Sequence, residues 1–150
     1  MKKNLILMAL LFLAILSCEK DDICIEDTTP NLVLRFYDNE NQTDVKQITD
    51  LTVWVINYDS IYVNQSLDSI SLPLDLNQNV TTYILANNLV NDTITCSYDR
   101  NDIFVSRSCG YKTTFDNMQI ESYTTNWIKN ININNTLIDN DTTAHITIFH

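Results

Sequence analysis

The chain has 150 residues, 19 acidic against 9 basic, and a formal charge of −10. Its single glycine, Gly110, excludes the multi-glycine loops that let a backbone close around a phosphate, and with them the dinucleotide-binding and P-loop classes. Two histidines, His145 and His150, with Ile146, Thr147, Ile148 and Phe149 between them cannot form the HExxH zinc pattern, and so acidic a surface repels nucleic acid.

Lys2 and Lys3 precede an unbroken apolar run over 5–16, and Ser17-Cys18 follows at once. This is the layout of a secretory leader, residues 1–17. Twelve apolar residues rise only about 18 Å as a helix, against a hydrocarbon layer of roughly 30 Å, so a retained span is the weaker reading. Ile15-Leu16-Ser17-Cys18 resembles a bacterial lipobox, which makes Cys18 the lipid-bearing first residue of the mature chain. Attached acyl chains bury about 0.8 kcal/mol per CH₂, and anchors with more than one chain hold stably. Subtracting Lys2 and Lys3 from the 9 basic residues leaves 7 against 19 acidic, a formal charge of −12 for the mature part. Position two after cleavage is Glu19 and not aspartate, which by resemblance to proteobacterial sorting does not mark inner-membrane retention. Cys18-Glu19-Lys20-Asp21-Asp22 resembles the lysine-plus-two-acids signal that sends Bacteroidota-type lipoproteins to the outside of the outer membrane. Lys20, Asp21 and Asp22 are therefore candidate surface-export residues. The expected organisation is a leader (1–17), a lipidated tether (18–30) and one domain (31–150).

Past the tether the chain reads as short β-branched and aromatic runs bounded by Asn, Asp or Pro. The spacing predicts strands over 32–37, 51–57, 69–72, 80–85, 93–98, 103–108, 127–134 and 144–149. Eight such runs suit an antiparallel sandwich or a distorted barrel, and the fold expected is mainly β, a single antiparallel β-sandwich of Ig-like or related type. Residues 38–41, 99–102 and 139–141 read as turns in which Asn and Asp do what glycine does elsewhere. Pro73 suits a strand end or edge. The switch from apolar pairs to alternation after Trp127 predicts a bulge near Lys129 or a strand leaving the core. Trp54 lies in a run apolar on both faces and is expected in the core. In the last strand Ile146 and Ile148 should face inward and His145 outward.

The cysteines left after lipidation are Cys24, Cys96 and Cys109, in an oxidising compartment, so one disulfide is available. Alternation puts Cys96 on one face with Ile94 and Tyr98, as a buried thiol. A Cys24–Cys109 bond would pin the N-terminal segment to the body. The acids of 99–102 and 139–141 lack the glycine that an EF-hand loop requires, and no metal or cofactor is expected. No GxSxG elbow exists, so a catalytic residue is not assigned and the chain is not expected to be an enzyme. A hydrolase would need carboxylates converging with His145 in a concave site. Trp54, Trp127, Tyr58, Tyr62 and Tyr123 would stack on sugar rings if exposed. Arg35 and Arg107, on strands of an acidic protein, are expected in structural ion pairs. The form Asp, then Ser or Thr, then an aliphatic residue or Thr, occurs more often than composition implies and resembles the O-glycosylation acceptor of exported Bacteroidota-type proteins. It makes Thr28, Ser60, Ser69, Thr93 and Thr142 candidate acceptors.

The segment from Cys24 to Pro30 leading into Leu34-Arg35-Phe36-Tyr37-Asp38, the segment from Val105 to Lys112, Trp127-Ile128 and the His145 strand together resemble a family of short Bacteroidota lipoproteins, typical of flavobacteria, classed as a domain of unknown function. The resemblance implies a lipid anchor. It also makes Cys24 and Cys109 the bonded pair, since both fall in its motifs and Cys96 does not. It brings no substrate, cofactor or partner. The expected role is a non-enzymatic binding or structural accessory at the surface of the outer membrane, held there by its lipid. Its partner would be an outer-membrane protein or, for a glycan-binding module, a glycan.

Overall fold

The computed structural model describes residues 23–26 and 28–150. The expected leader (1–17) and the candidate residues Cys18, Lys20, Asp21 and Asp22 lie outside the described residues. Where apolar and polar side chains alternate, one face of a strand turns to a core and the other to water. Such segments form β1 (Leu32–Tyr37), β2 (Ile48–Val55), β3 (Ser60–Leu67), β4 (Ser69–Leu72), β5 (Val80–Asn87), β6 (Val90–Ser106), β7 (Gly110–Tyr123), β8 (Asn130–Ile133) and β9 (Ile146–Phe149). Among the described residues there is no helix. One sheet has the order β4-β1-β9-β8 and the other β3-β2-β5-β6-β7, which is the mainly β, sandwich-like class expected from the sequence. Pairing is antiparallel except between β1 and β9, which run parallel with Leu34 beside Ile146 and Phe36 beside Ile148. A parallel pair needs a long crossover, and here almost the whole body lies between the two strands.

Leu32, Leu34 and Phe36 of β1, Ile94, Cys96 and Tyr98 of β6, and Ile146 and Ile148 of β9 are buried in the shared core. Each large apolar side chain so buried contributes about 1.5–3 kcal/mol. Left-handed backbone falls to Asp50, Asn57, Asn64, Asn88 and Asn117, all at positive φ. Asn57 turns β2 into β3 and Asn88 turns β5 into β6, the substitution of Asn for glycine that the composition calls for.

Three expectations are corrected. Residues 99–102 are not a turn but part of β6, because the side chains of Asp99, Arg100 and Asp102 find partners across the ladder or beside it. Asn117 Nδ2 donates to Asp99 (2.8 Å), Thr113 Oγ1 donates to Asp102 (2.6 Å), and Arg100 Nε donates to Asn79 (2.9 Å). The chain reverses instead before Gly110, whose φ of 73 suits the one residue without a Cβ. β3 and β7 were not anticipated: β3 is a mostly exposed edge strand, and the alternation of β7 is broken at Asn117. Trp127 and Ile128 precede β8 rather than belonging to it, because a carboxylate takes their N–H groups.

That carboxylate is Asp92 on β6, fully buried. Its Oδ1 accepts from the Thr124 hydroxyl (2.6 Å) and the Asn126 N–H (2.8 Å), and its Oδ2 from the N–H groups of Trp127 (2.7 Å) and Ile128 (2.8 Å). Burial pushes its pKa up, but the bonds from Ile128, Thr124, Asn126 and Trp127 together outweigh burial and hold the carboxyl below its ordinary range. The four donors belong to the segment through which the chain leaves β7 and crosses to β8 in the other sheet. Asp92→Ala strands three backbone N–H groups in the interior and is expected to cost about 3 kcal/mol or more. Urea unfolding reads this directly, and a loss below about 1 kcal/mol would show that the crossing segment is held by other contacts.

Candidate functional site

The β2–β3 turn and the β4–β5 loop meet at one end of the sandwich and leave a cleft of about 330 Å³. Val55, Ile61, Pro73 and Leu74 give it an apolar wall, and Tyr58, Asp59, Asp75 and Asn77 add polar groups. The loop side is fixed from beneath by buried phenols. Tyr83 donates its hydroxyl to the Pro73 carbonyl (2.7 Å), and Tyr98 donates to the Asp75 carbonyl (3.1 Å). Thr81 Oγ1 lies 2.6 Å from the Tyr98 hydroxyl and accepts the Asp75 N–H (3.1 Å), while an Arg100 guanidinium N–H donates to the Leu76 carbonyl. Burial raises the pKa of Tyr83 far above the usual phenol, so it stays a donor. Beside the cleft, the Tyr62 hydroxyl accepts the Ser71 N–H (3.1 Å) and donates to the Ser71 carbonyl (3.2 Å), tying edge strand β3 to edge strand β4.

Tyr58 is 71% exposed at this site. Of the five aromatic residues singled out for sugar stacking it alone is an exposed ring. Trp54 is a correction: the inward places on β2 go to Leu51 and Val53, so Trp54 sits half-buried on the outer face, paired with Ile84. Trp127 is buried with its indole N–H on the Leu85 carbonyl (3.1 Å), and Tyr123 is half-buried opposite Ile94.

His145 is also corrected. It is fully buried: its ring Nδ1 accepts the Val33 N–H (3.0 Å) and its backbone N–H donates to the Val33 carbonyl (2.9 Å). It does not line the cleft, so Asp59 and Asp75 do not converge with it. In the acidic turn at 139–141, Asp141 accepts from Asn31 across the body (2.7 and 3.1 Å) and Asp139 from its neighbour Asn140 (2.6 Å). The described residues contain no group of three metal-ligating side chains. Arg35 and Arg107 form no ion pair among the described residues: the Arg35 guanidinium lies over the Tyr37 ring (5.8 Å) and Arg107 is exposed. The ion pair that does form there is Lys46–Asp38 (2.7 Å), and Lys46 with the N–H groups of Asn41 and Glu40 brings the Asp38 carboxyl down to about 2. Among the candidate acceptors, Thr28, Ser60, Ser69 and Thr142 are exposed, while Thr93 is half-buried on central strand β6.

Cys24 and Cys109 are joined in a disulfide across 85 residues, with Cα atoms 4.9 Å apart. Cys96 is free and buried, and burial pushes its thiol up to about 12, which leaves it unreactive. Behind the disulfide the N-terminal segment is held by Thr29, whose hydroxyl accepts the Thr113 N–H (3.0 Å). Residues of the β6–β7 hairpin end that sequence reasoning passed over, Phe104 and Tyr111, are exposed at 56% and 72%. Gly110 was the signal that a hairpin ends there.

Two outcomes are expected. Replacing Cys24 and Cys109 by serine lowers stability by about 4 kcal/mol in the chain-entropy model, seen as a lower urea midpoint than the oxidised parent. For His145, burial lowers the pKa against the opposing pull of Asp141, Asp139 and the Asn140 backbone, and His150 is lowered in the same direction by burial. The unfolded imidazoles protonate near 6.5 and the folded ones only at lower pH, so stability is full above about 6.5 and falls as pH drops through the folded values. His145→Asn keeps an acceptor for Val33 and does not titrate. Its thermal midpoint should therefore fall less than the parent's between roughly pH 7.5 and 5.

Residues 50–150 match the model of a family described as a family of unknown function (DUF6452). The match takes in Cys109, Trp127 and the His145 strand, and the chain belongs to that family. No curated protein and no solved structure matches the chain.

Proposed function

We propose that this member of the family is a Bacteroidota-type outer-membrane lipoprotein, exposed at the cell surface, that serves as a non-enzymatic binding or structural accessory. In this reading Cys18 carries the lipid, Lys20, Asp21 and Asp22 direct surface export, and the β body stands in water beside the membrane. The observation that supports a binding role is the cleft between the β2–β3 turn and the β4–β5 loop. It has an apolar wall on a rigid base, a ring presented to solvent and carboxylates beside it, the mixture that recognition sites use. A second reading, a glycan-binding module, draws on Tyr58 in particular. A sugar stacks its apolar face on an exposed ring and gives its hydroxyl protons to acceptors such as Asp59, Asp75 and Asn77.

The test is a pull-down of the lipidated protein after cross-linking in the native membrane, run beside Tyr58→Ala, with bound proteins and glycans identified by mass spectrometry. Loss of the ring is expected to reduce capture about tenfold. A stoichiometric outer-membrane protein supports the accessory reading, and polysaccharide without protein supports the glycan reading. Equal capture by parent and variant, or none above background, removes the cleft from the function.

A further inference from the structure

We infer that the end of the β6–β7 hairpin is a membrane-facing surface that rests in the headgroup layer of the bilayer holding the lipid anchor; the inference rests on the reading of Cys18 as lipid-bearing. β5 pairs with β6 only as far as Ser97, whereas the β6–β7 ladder runs on from Asp99 opposite Asp116 to Ser106 opposite Gly110. Beyond the bridge from Phe115 to Ile138, the extension is a two-stranded ribbon of roughly 20 Å. Near its tip Phe104 and Tyr111 lie edge to face on one side, with ring centroids 5.3 Å apart and both rings largely exposed. Ile103, on the other side opposite Lys112, is exposed as well. Exposed apolar side chains gathered at one end of a molecule mark a surface that meets something less polar than water.

Two separate observations point to a lipid surface as that partner. The first is reach. Cys109 is bonded to Cys24, and the six residues from Cys18 to Cys24 span at most about 22 Å when fully extended. The hairpin end is therefore held close to the lipid-bearing residue, while β6, 17 residues long, carries its other end up to about 55 Å away. The second is charge. The stretch from 103 to 115 contains no acid and two cations, Arg107 and Lys112, in a chain where acids outnumber bases by 19 to 9. Among the described residues two acids come near: Asp102, which accepts from Thr113 Oγ1 (2.6 Å), and Glu26, which lines a hollow with Lys112. Aromatic rings flanked by cations settle at the boundary between headgroups and acyl chains, where the ring is half in hydrocarbon and the cation meets lipid phosphate.

The experiment uses the full-length lipidated protein in vesicles of phosphatidylethanolamine with a minor share of phosphatidylglycerol, with and without a lipid bearing a quencher near the headgroup. Phe104→Trp places a reporter at the hairpin end, and Val63→Trp places one at an exposed site on edge strand β3. Flotation of each variant with the vesicles first reports the anchor. The expected result is blue-shifted emission and several-fold stronger quenching for Phe104→Trp than for Val63→Trp, relative to the parent's own tryptophans. Adding Arg107→Glu and Lys112→Glu should reduce that quenching in the phosphatidylglycerol vesicles. Flotation with equal quenching at both reporters overturns the hairpin surface and leaves the anchor standing. Failure to float overturns the anchor reading and the inference with it.

Discussion

The structure turns on a negative charge buried without a cation. Asp92 is fully enclosed on β6, yet its two oxygens take four hydrogen bonds, three of them from consecutive backbone N–H groups at Asn126, Trp127 and Ile128. Hydrogen bonds to an ionised acceptor are the strong ones, and four of them replace the solvation that burial removes. The segment they hold is the crossing from one sheet to the other. Once it is set, β8 lies in register with β9, β9 lies beside β1, and the indole of Trp127 closes over the Leu85 carbonyl. An apolar residue at 92 would leave those N–H groups without partners at the place where the chain changes sheets.

Around that frame the two ends of the molecule differ in character. The end near Asn87 and Val90 closes with a tight Asn-based turn. The other end carries the cleft and the long hairpin. Arg100 links them, since it sits on the extending part of β6 and donates to the loop that walls the cleft. The disulfide makes the N-terminal segment part of the same end, because Cys109 lies beside the turn into β7. The cleft, the aromatic hairpin tip and the disulfide-held N-terminal segment thus share one end of the body, and the proposed placement beside a membrane draws on that arrangement.

Much of the fold was legible because burial imposes a period of two on strands. β1 and β4 match the predicted limits, and the face shared by Ile94, Cys96 and Tyr98 is the buried face of β6. The failures share a cause: local signals have alternative uses that only distant partners decide. Asp and Asn at 99–102 favour a turn unless cross-strand groups satisfy them, as Asn117 and Thr113 do. A histidine next to alternating isoleucines reads as outward-facing unless a backbone N–H, here that of Val33, needs its ring nitrogen. The cleft was invisible for the same reason, since its walls come from a turn and a loop that are separate in sequence.

By itself the sequence determined what depends on composition and local pattern: the mainly β class, the use of Asn in place of glycine at left-handed turns, the core thiol at Cys96, and the absence of phosphate-binding glycine loops. Through its motifs it also set the expectation that Cys24 pairs with Cys109. Tertiary structure alone decided which polar groups are buried and what they hold. A carboxylate in Asp-Thr-Ile can be a solvated turn, a glycosylation signal or, as at Asp92, the anchor of a sheet-to-sheet crossing. The difference lies in partners more than 30 residues away, and the desolvation that makes such a bond strong exists only after the two sheets have closed on each other.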